Sequence, residues 1–319
     1  MLKTTFISTL FIVSTLVRAQ AQPKPDADFP FQGEYAGEID SGGGGQKFGI
    51  QVIALGDGKF RAVFYPGGLP GDGWTKDKPK VKTDGARQND SVTFTGGRLN
   101  GTIKNGAFTI TNFRDNVMGT LKKVERESST LGAKPPEGAI VLFDGKSTDA
   151  WEKGKMTDDG LLMQGTQSKQ KFFPGTLHIE FILPYEPKGR DQGRGNSGVY
   201  MQGRDEVQVL DSFGLEGKNN ECGAIYGIAE PIVNMCYPPM TWQTYDIEFT
   251  AAQWENGKKT RNAVFNLVRH NGVVVHKDQE VTKITTAAPV GDNPEPGPTN
   301  LQDHGHQVRY RNIWFVPAK

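Results

Sequence analysis

Cysteine is nearly missing from this chain: there are two in 319 residues, Cys222 and Cys236. That excludes a disulfide-dense scaffold and a four-cysteine zinc module. Long apolar runs are missing as well. The main one, residues 6–13, is too short to cross a bilayer, so no membrane insertion is expected. No charge dominates, since 37 Lys+Arg stand against 36 Asp+Glu. Neither nucleic acid nor an anionic membrane surface is therefore an expected partner. Helical periodicity is almost absent too, which argues against bundles and coiled coils.

What the chain does contain is glycine and proline, 40 and 19 residues, the mark of a turn-rich β protein. At the amino terminus, Lys3, the apolar run and Ala19-Gln20-Ala21 form the pattern of a secretory signal over residues 1–21. A secreted or periplasmic protein is expected. Losing Lys3 and Arg18 leaves 35 bases against 36 acids, a net charge near −1. In an exported protein a single close cysteine pair is by default a Cys222–Cys236 bridge. It would close a 15-residue loop, worth about 3 kcal/mol in the chain-entropy model. Two free thiols or half of a metal site are the alternatives, and no His within the loop completes such a site.

Residues 22–125 are a polar lead-in followed by short alternating runs such as KFGIQVIAL, KFRAVFY and AFTITNF. Turns at Gly56-Asp57-Gly58 and Asn105-Gly106 separate them. The expectation is a small antiparallel β-barrel or sandwich without an acid/base constellation, hence non-catalytic. Trp74, on a Gly-rich loop, is expected to fold back as a lid on its own core rather than to stack on a sugar. Residues 126–137, RESSTLGAKPPE, break the periodicity and read as a linker. Residues 138–319 return to short strands, and an all-β jelly-roll sandwich is expected there.

The stretch NSGVYMQGRDEVQVLD, residues 196–211, reads as two strands and a tight turn. Alternation puts Tyr200 and Gln202, then Glu206 and Gln208, opposite the valines. The same parity sets His178 and Glu180 against Leu177, Ile179 and Phe181, and Asp246 and Glu248 against Ile247 and Phe249. Taken as one surface, these side chains make an acidic, amide-rich face suited to a hydroxyl-rich ligand; a merely solvated sheet face is the plainer alternative. Near the carboxy terminus, Gln302-Asp303-His304-Gly305-His306 gathers polar groups. The sequence requires no cofactor and leaves a divalent metal at this cluster open.

The second half resembles the 3-keto-disaccharide hydrolase domain family. Four motifs carry the likeness: VLFDGKSTDAW (141–151), NSGVYMQG running into EVQVLDS (196–212), CGAIYG (222–227) and GPTNLQDHGHQVRYRNIWF (297–315). Trp242-Gln243 departs from the Trp-Asn strand of many relatives. The resemblance implies a concanavalin-like jelly roll whose concave face handles a small-molecule or oligosaccharide substrate. A carbonyl at C3 of a sugar acidifies the C2 proton, so a base can remove it, the aglycone leaves C1 by elimination, and water adds back. That chemistry needs a base, a holder for the enolate oxygen and an acid. Glu206 is the foremost base and Glu180 the second, while His178 and His304 are acid or oxyanion candidates. Tyr200, Gln202, Gln208, Glu248 and Gln302 are the substrate-binding candidates. A non-catalytic lectin-like module is the competing reading. A laminarinase-type site is disfavoured, because its acids would fall at Glu206, Gln208 and Leu210, two of which are not acids.

Overall fold

A computed structural model of the chain describes residues 25–40, 42–172 and 174–318. The expected secretory signal, residues 1–21, lies outside the described residues. Those residues hold no α-helix, only strands, turns and two short 3-10 turns.

Eight strands between Gly33 and Val124 form a closed barrel in simple up-and-down order. Two of its hairpins turn where the sequence places an Asn-Gly or Asp-Gly pair. Asp57-Gly58 and Asn105-Gly106 both adopt positive φ at each position, the backbone a tight two-residue hairpin demands. Alternate residues fill the interior, among them Ile50, Val52, Phe60, Phe64, Phe94 and Phe108, so the barrel is packed and not a channel.

Two further sheets follow. The larger runs, in spatial order, Ile140–Phe143, Arg309–Pro317, Gly175–Ile182, Trp242–Thr250, Ala263–His270 and Val273–Val281, with Leu162–Met163 also pairing to Arg309–Pro317. The smaller runs Trp151–Glu152, Thr166–Phe172, Gly297–Leu301, Ser197–Met201 and Asp205–Val209. Leu177, Ile179, Phe181, Tyr245 and Ile247 of the larger sheet share one buried core with Val199, Met201, Val207, Val209 and Leu301 of the smaller. This is the expected sandwich.

The barrel and the sandwich are fused. Ile53, Val63 and Tyr65 point out of the barrel wall and join the sandwich core. Trp74 is buried beside them, its ring edge-on to Tyr65 at 5.0 Å, so it is not exposed as a sugar platform; it packs into the sandwich core at the junction and is not a lid on the barrel's own core. A polar chain crosses the junction: Arg126 grips Glu34 through two nitrogens at 2.6 and 2.7 Å. Gln51 donates to Glu34 and accepts from the Tyr65 hydroxyl. The Arg126 guanidinium also lies 4.9 Å from the centre of the Tyr237 ring.

The expected linker is a fixed strap. Ser128 and Thr130 hydrogen-bond Thr244 at 2.6 and 2.8 Å, and Thr130 donates to Asp246 at 2.7 Å. The Gly132 amide donates to Glu180 at 2.6 Å, and Asn312 and Trp314 donate to the Ala133 carbonyl. Composition marks this segment as non-repetitive, but its hydroxyls and amides match the polar outer face of the larger sheet.

Arg126→Ala leaves the Glu34 carboxylate buried with its cation gone. The expected loss is about 3–5 kcal/mol, the usual effect of breaking a buried pair from one side, read from the urea midpoint. A loss below about 1 kcal/mol, the scale of an exposed pair, would show that the junction does not depend on it.

Candidate active site

The sequence-derived site residues divide between two faces. His178, Glu180 and Glu248 stand on the outer face of the larger sheet, whereas Tyr200, Glu206 and Gln208 stand on the outer face of the smaller one. The single face assembled from parity is therefore corrected. Alternation tells which side chains avoid the core, and both sheets of a sandwich have such a side.

On the larger sheet, His178 and Glu180 are buried beneath the strap. His178 Nδ1 meets Asp246 at 2.6 Å, and its ring stacks on Trp314 with centroids 4.8 Å apart. Glu180 accepts from Arg311 at 2.7 Å, Asn312 at 2.8 Å and the Gly132 amide. Burial favours the neutral acid, but hydrogen bonds from His178, Asn312, Arg311 and Gly132 outweigh it and hold the Glu180 carboxyl down at about 2. Burial likewise disfavours a charge on His178, and the hydrogen bonds with Asp246 and Glu180 overcome it, raising its pKa. With every polar atom engaged, this cluster is a clasp for the strap. The contacts of Glu180 and His178 are those of a structural clasp on the face opposite Glu206, and Glu248 is exposed on that same face.

On the smaller sheet the geometry converges. Register pairs Tyr200 with Glu206 and Gly198 with Gln208 across the 197–201 and 205–209 strands. The Glu206 carboxyl lies beside the Tyr200 hydroxyl, which donates to the Thr286 carbonyl at 3.3 Å and receives the Gln302 amide at 3.0 Å. Burial pushes the Glu206 pKa up to about 8, against the lowering effect of Tyr200. The carboxyl lies directly over Gly198: a Cβ there would sit 2.0 Å from its oxygen. Gln208 is held by Gln192 at 3.0 Å and by the Val209 amide. Gln302 reaches the site because its own amide donates to the Gly198 carbonyl at 2.9 Å.

Gln202 does not join them. It begins the turn between the two strands, at φ 52°, and its amide donates to the Phe172 carbonyl. His304 is exposed on the turn after Gln302, stacked near His306, which pairs with Glu186 at 2.6 Å. Asp303 caps the Gly305 amide. Among the described residues no group of three or more His, Cys, Asp or Glu is placed to hold a metal ion. The Cys222–Cys236 bridge is also corrected: both are free, buried thiols. Cys222 contacts the Tyr245 hydroxyl at 3.2 Å, and Cys236 lies 3.5 Å from the Leu210 carbonyl. Asn300, which pairs with Tyr200 in register, was missed. Its position two residues before Gln302 on the same strand parity was the available signal.

Residues 138–316 match the model of the 3-keto-alpha-glucoside-1,2-lyase-like domain. Among solved structures, a candidate glycosyl hydrolase from Parabacteroides distasonis ATCC 8503 is 35% identical, with a TM-score of 0.52 over 57% of this chain and 85% of its own. A second from the same organism is 18% identical, with a TM-score of 0.42 over 57% and 95%. None of the curated proteins matches the chain.

Gly198→Ala drives a methyl into the space of a flexible carboxyl and not of backbone, so the fold should survive while Glu206 is displaced. Turnover on the assay below should fall at least about 10-fold, with an unchanged circular dichroism spectrum; full activity would mean that Glu206 works from another position. The clasp sets a pH window. Glu180, lowered from 4.5, contributes stability above that value and loses it as pH falls toward about 2. His178, raised from 6.5, contributes below that value and loses it as pH climbs through its folded pKa. His178→Gln should flatten the alkaline side of a stability–pH curve and leave the acid side sloping; an unaltered alkaline side would contradict the assignment.

Proposed function

The chain belongs to the 3-keto-alpha-glucoside-1,2-lyase-like domain family through residues 138–316, and on that premise we propose that it cleaves 3-keto-glycosides with Glu206 as the base. It is a carbohydrate-active protein of glycoside hydrolase-like kind. One observation carries the finer reading. A buried carboxyl with its pKa near 8 lies over Gly198 and beside Tyr200, whose hydroxyl receives the Gln302 amide. A base works best when its pKa lies near the working pH.

In the reaction the Glu206 carboxylate takes the proton from C2, which the C3 carbonyl has made acidic. The C2 electron pair forms the C1–C2 double bond as the bond from C1 to the glycosidic oxygen breaks. The aglycone leaves with that electron pair and takes up a proton, for which His304, exposed on the turn after Gln302, is the candidate donor. Water then adds back, oxygen to C1 and hydrogen to C2, returning the proton balance to that of hydrolysis. Tyr200 holds the Glu206 carboxyl in place, while Gln302 and Gln208 orient sugar hydroxyls. Export to the periplasm or the medium belongs to this proposal and rests on the residue 1–21 pattern.

The test is release of aglycone from a 3-keto-glucoside beside its unoxidised parent. Glu206→Gln keeps the shape, removes basicity and should lower turnover about 10²–10⁴-fold. For the wild type, the rising limb of the kcat/KM–pH profile should have its midpoint near 8, because the base form is the deprotonated one. A rate falling through that range would make Glu206 an acid instead. Binding without turnover would establish the lectin-like reading.

A further inference from the structure

A row of polar side chains crosses the whole smaller sheet on the side that carries Glu206. Strand pairing sets Glu152 beside Gln167, Gln167 beside Asn300, Asn300 beside Tyr200, and Tyr200 beside Glu206. Paired residues of antiparallel strands project to the same side, so all five stand on one face. Four steps of about 4.8 Å give a row roughly 19 Å long. Each step is close to the length of one sugar residue in an extended chain.

The two ends differ. At Glu206 the row is closed: Glu206 and Tyr200 are buried. The free edge of the 205–209 strand is covered by chain that pairs with it through the Tyr226 amide to the Glu206 carbonyl and the Gln208 amide to the Ala224 carbonyl. The Thr286 carbonyl, 3.3 Å from the Tyr200 hydroxyl, closes it further. Outward from Tyr200 the row opens, with Asn300 and Gln167 half-buried and Glu152 exposed. A substrate whose reacting sugar sits at Glu206 therefore runs across the strands toward Glu152.

The chemistry of the open end is uniform. Asn300, Gln167 and Glu152 offer amides and a carboxylate, with no aromatic ring among them. The Asn300 carboxamide has no hydrogen-bond partner among the described residues, so its donors and its acceptor are both free. The Gln167 amide donates to Glu152 at 2.8 Å, which fixes that pair as one unit and turns the Gln167 carbonyl free. Such groups match hydroxyls, which donate and accept at once, and offer nothing to a flat aromatic aglycone.

From this row we propose that the substrate is an oligosaccharide of at least three sugar units, with the reacting sugar spanning Glu206 and Tyr200, the second sugar recognised by Asn300 and the third by the Gln167–Glu152 pair. The proposal rests on the placement of the reacting sugar at Glu206. Neither Asn300 nor Gln167 touches the reacting atoms; both decide which substrate is preferred.

The experiment compares kcat/KM of the full chain on three substrates carrying the 3-keto group on the terminal sugar: an aryl glucoside, a disaccharide and a trisaccharide. In the wild type each added sugar should raise kcat/KM. Asn300→Ala should lower it about 5- to 10-fold more for the disaccharide and trisaccharide than for the aryl glucoside, the worth of one hydrogen bond. Gln167→Ala should lower the trisaccharide by that factor relative to the disaccharide. Calorimetry with the unoxidised trisaccharide gives a second readout that needs no turnover: tighter binding than the disaccharide in the wild type, and no difference between them in Gln167→Ala. Equal wild-type kcat/KM for disaccharide and trisaccharide, or equal losses on all three substrates in both variants, overturns the assignment while the elimination chemistry stands. Absence of release from all three overturns that chemistry, and this assignment with it.

Discussion

The antiparallel pairing of Ser197–Met201 with Asp205–Val209 is the constraint on which the site depends. Its register sets Tyr200 opposite Glu206 and Gly198 opposite Gln208. A slip of one residue would turn every one of these side chains into the core and bring Val199 and Val207 out to water. The apolar set is what prevents that slip, because Val199, Val207 and Val209 are fully buried against the larger sheet. Packing energy on one face thus holds chemistry in place on the other. The missing side chain of Gly198 belongs to the same arrangement, since it leaves the volume that the Glu206 carboxyl occupies.

Burial does opposite things to two glutamates that look alike in sequence. Glu180 and Glu206 each sit on a strand among alternating apolar residues, and each is nearly inaccessible. Glu180 is surrounded by Arg311, Asn312 and the Gly132 amide, so its charge is stabilised and its pKa falls. For Glu206, desolvation outweighs the lowering effect of the Tyr200 hydroxyl, and its pKa rises. The first glutamate is thereby fixed as an anion in a clasp. The second can exchange a proton near neutral pH, which is what removal of a proton from carbon requires.

The barrel has a place in this arrangement. Its wall supplies Ile53, Val63 and Tyr65 to the sandwich core. The Arg194 guanidinium, paired with Asp211 at 2.5 Å, also reaches the Ala54 carbonyl of the barrel at 3.3 Å. Arg194 lies between Gln192 and Asn196, which hydrogen-bond each other and flank Gln208. One wall of the site is in this way braced from the other half of the molecule.

Alternation along a strand, turn residues and strand spacing are local properties, and for that reason they were legible. From them came the all-β architecture, the Asn-Gly and Asp-Gly hairpins, and the outward parity of Tyr200, Glu206 and Gln208. A period of two names a side of a strand without saying which sheet the strand will join, so His178, Glu180 and Glu248 were grouped with a face they do not share. Sheet membership is decided by hydrogen bonds between segments more than a hundred residues apart, such as Arg309–Pro317 with Gly175–Ile182. Composition likewise described residues 126–137 as a linker, because complementarity between their hydroxyls and amides and a distant polar face leaves no trace in either segment alone. The sequence by itself determined which side chains avoid the core; only the tertiary structure decided which of them meet, because meeting depends on contacts that no local pattern encodes.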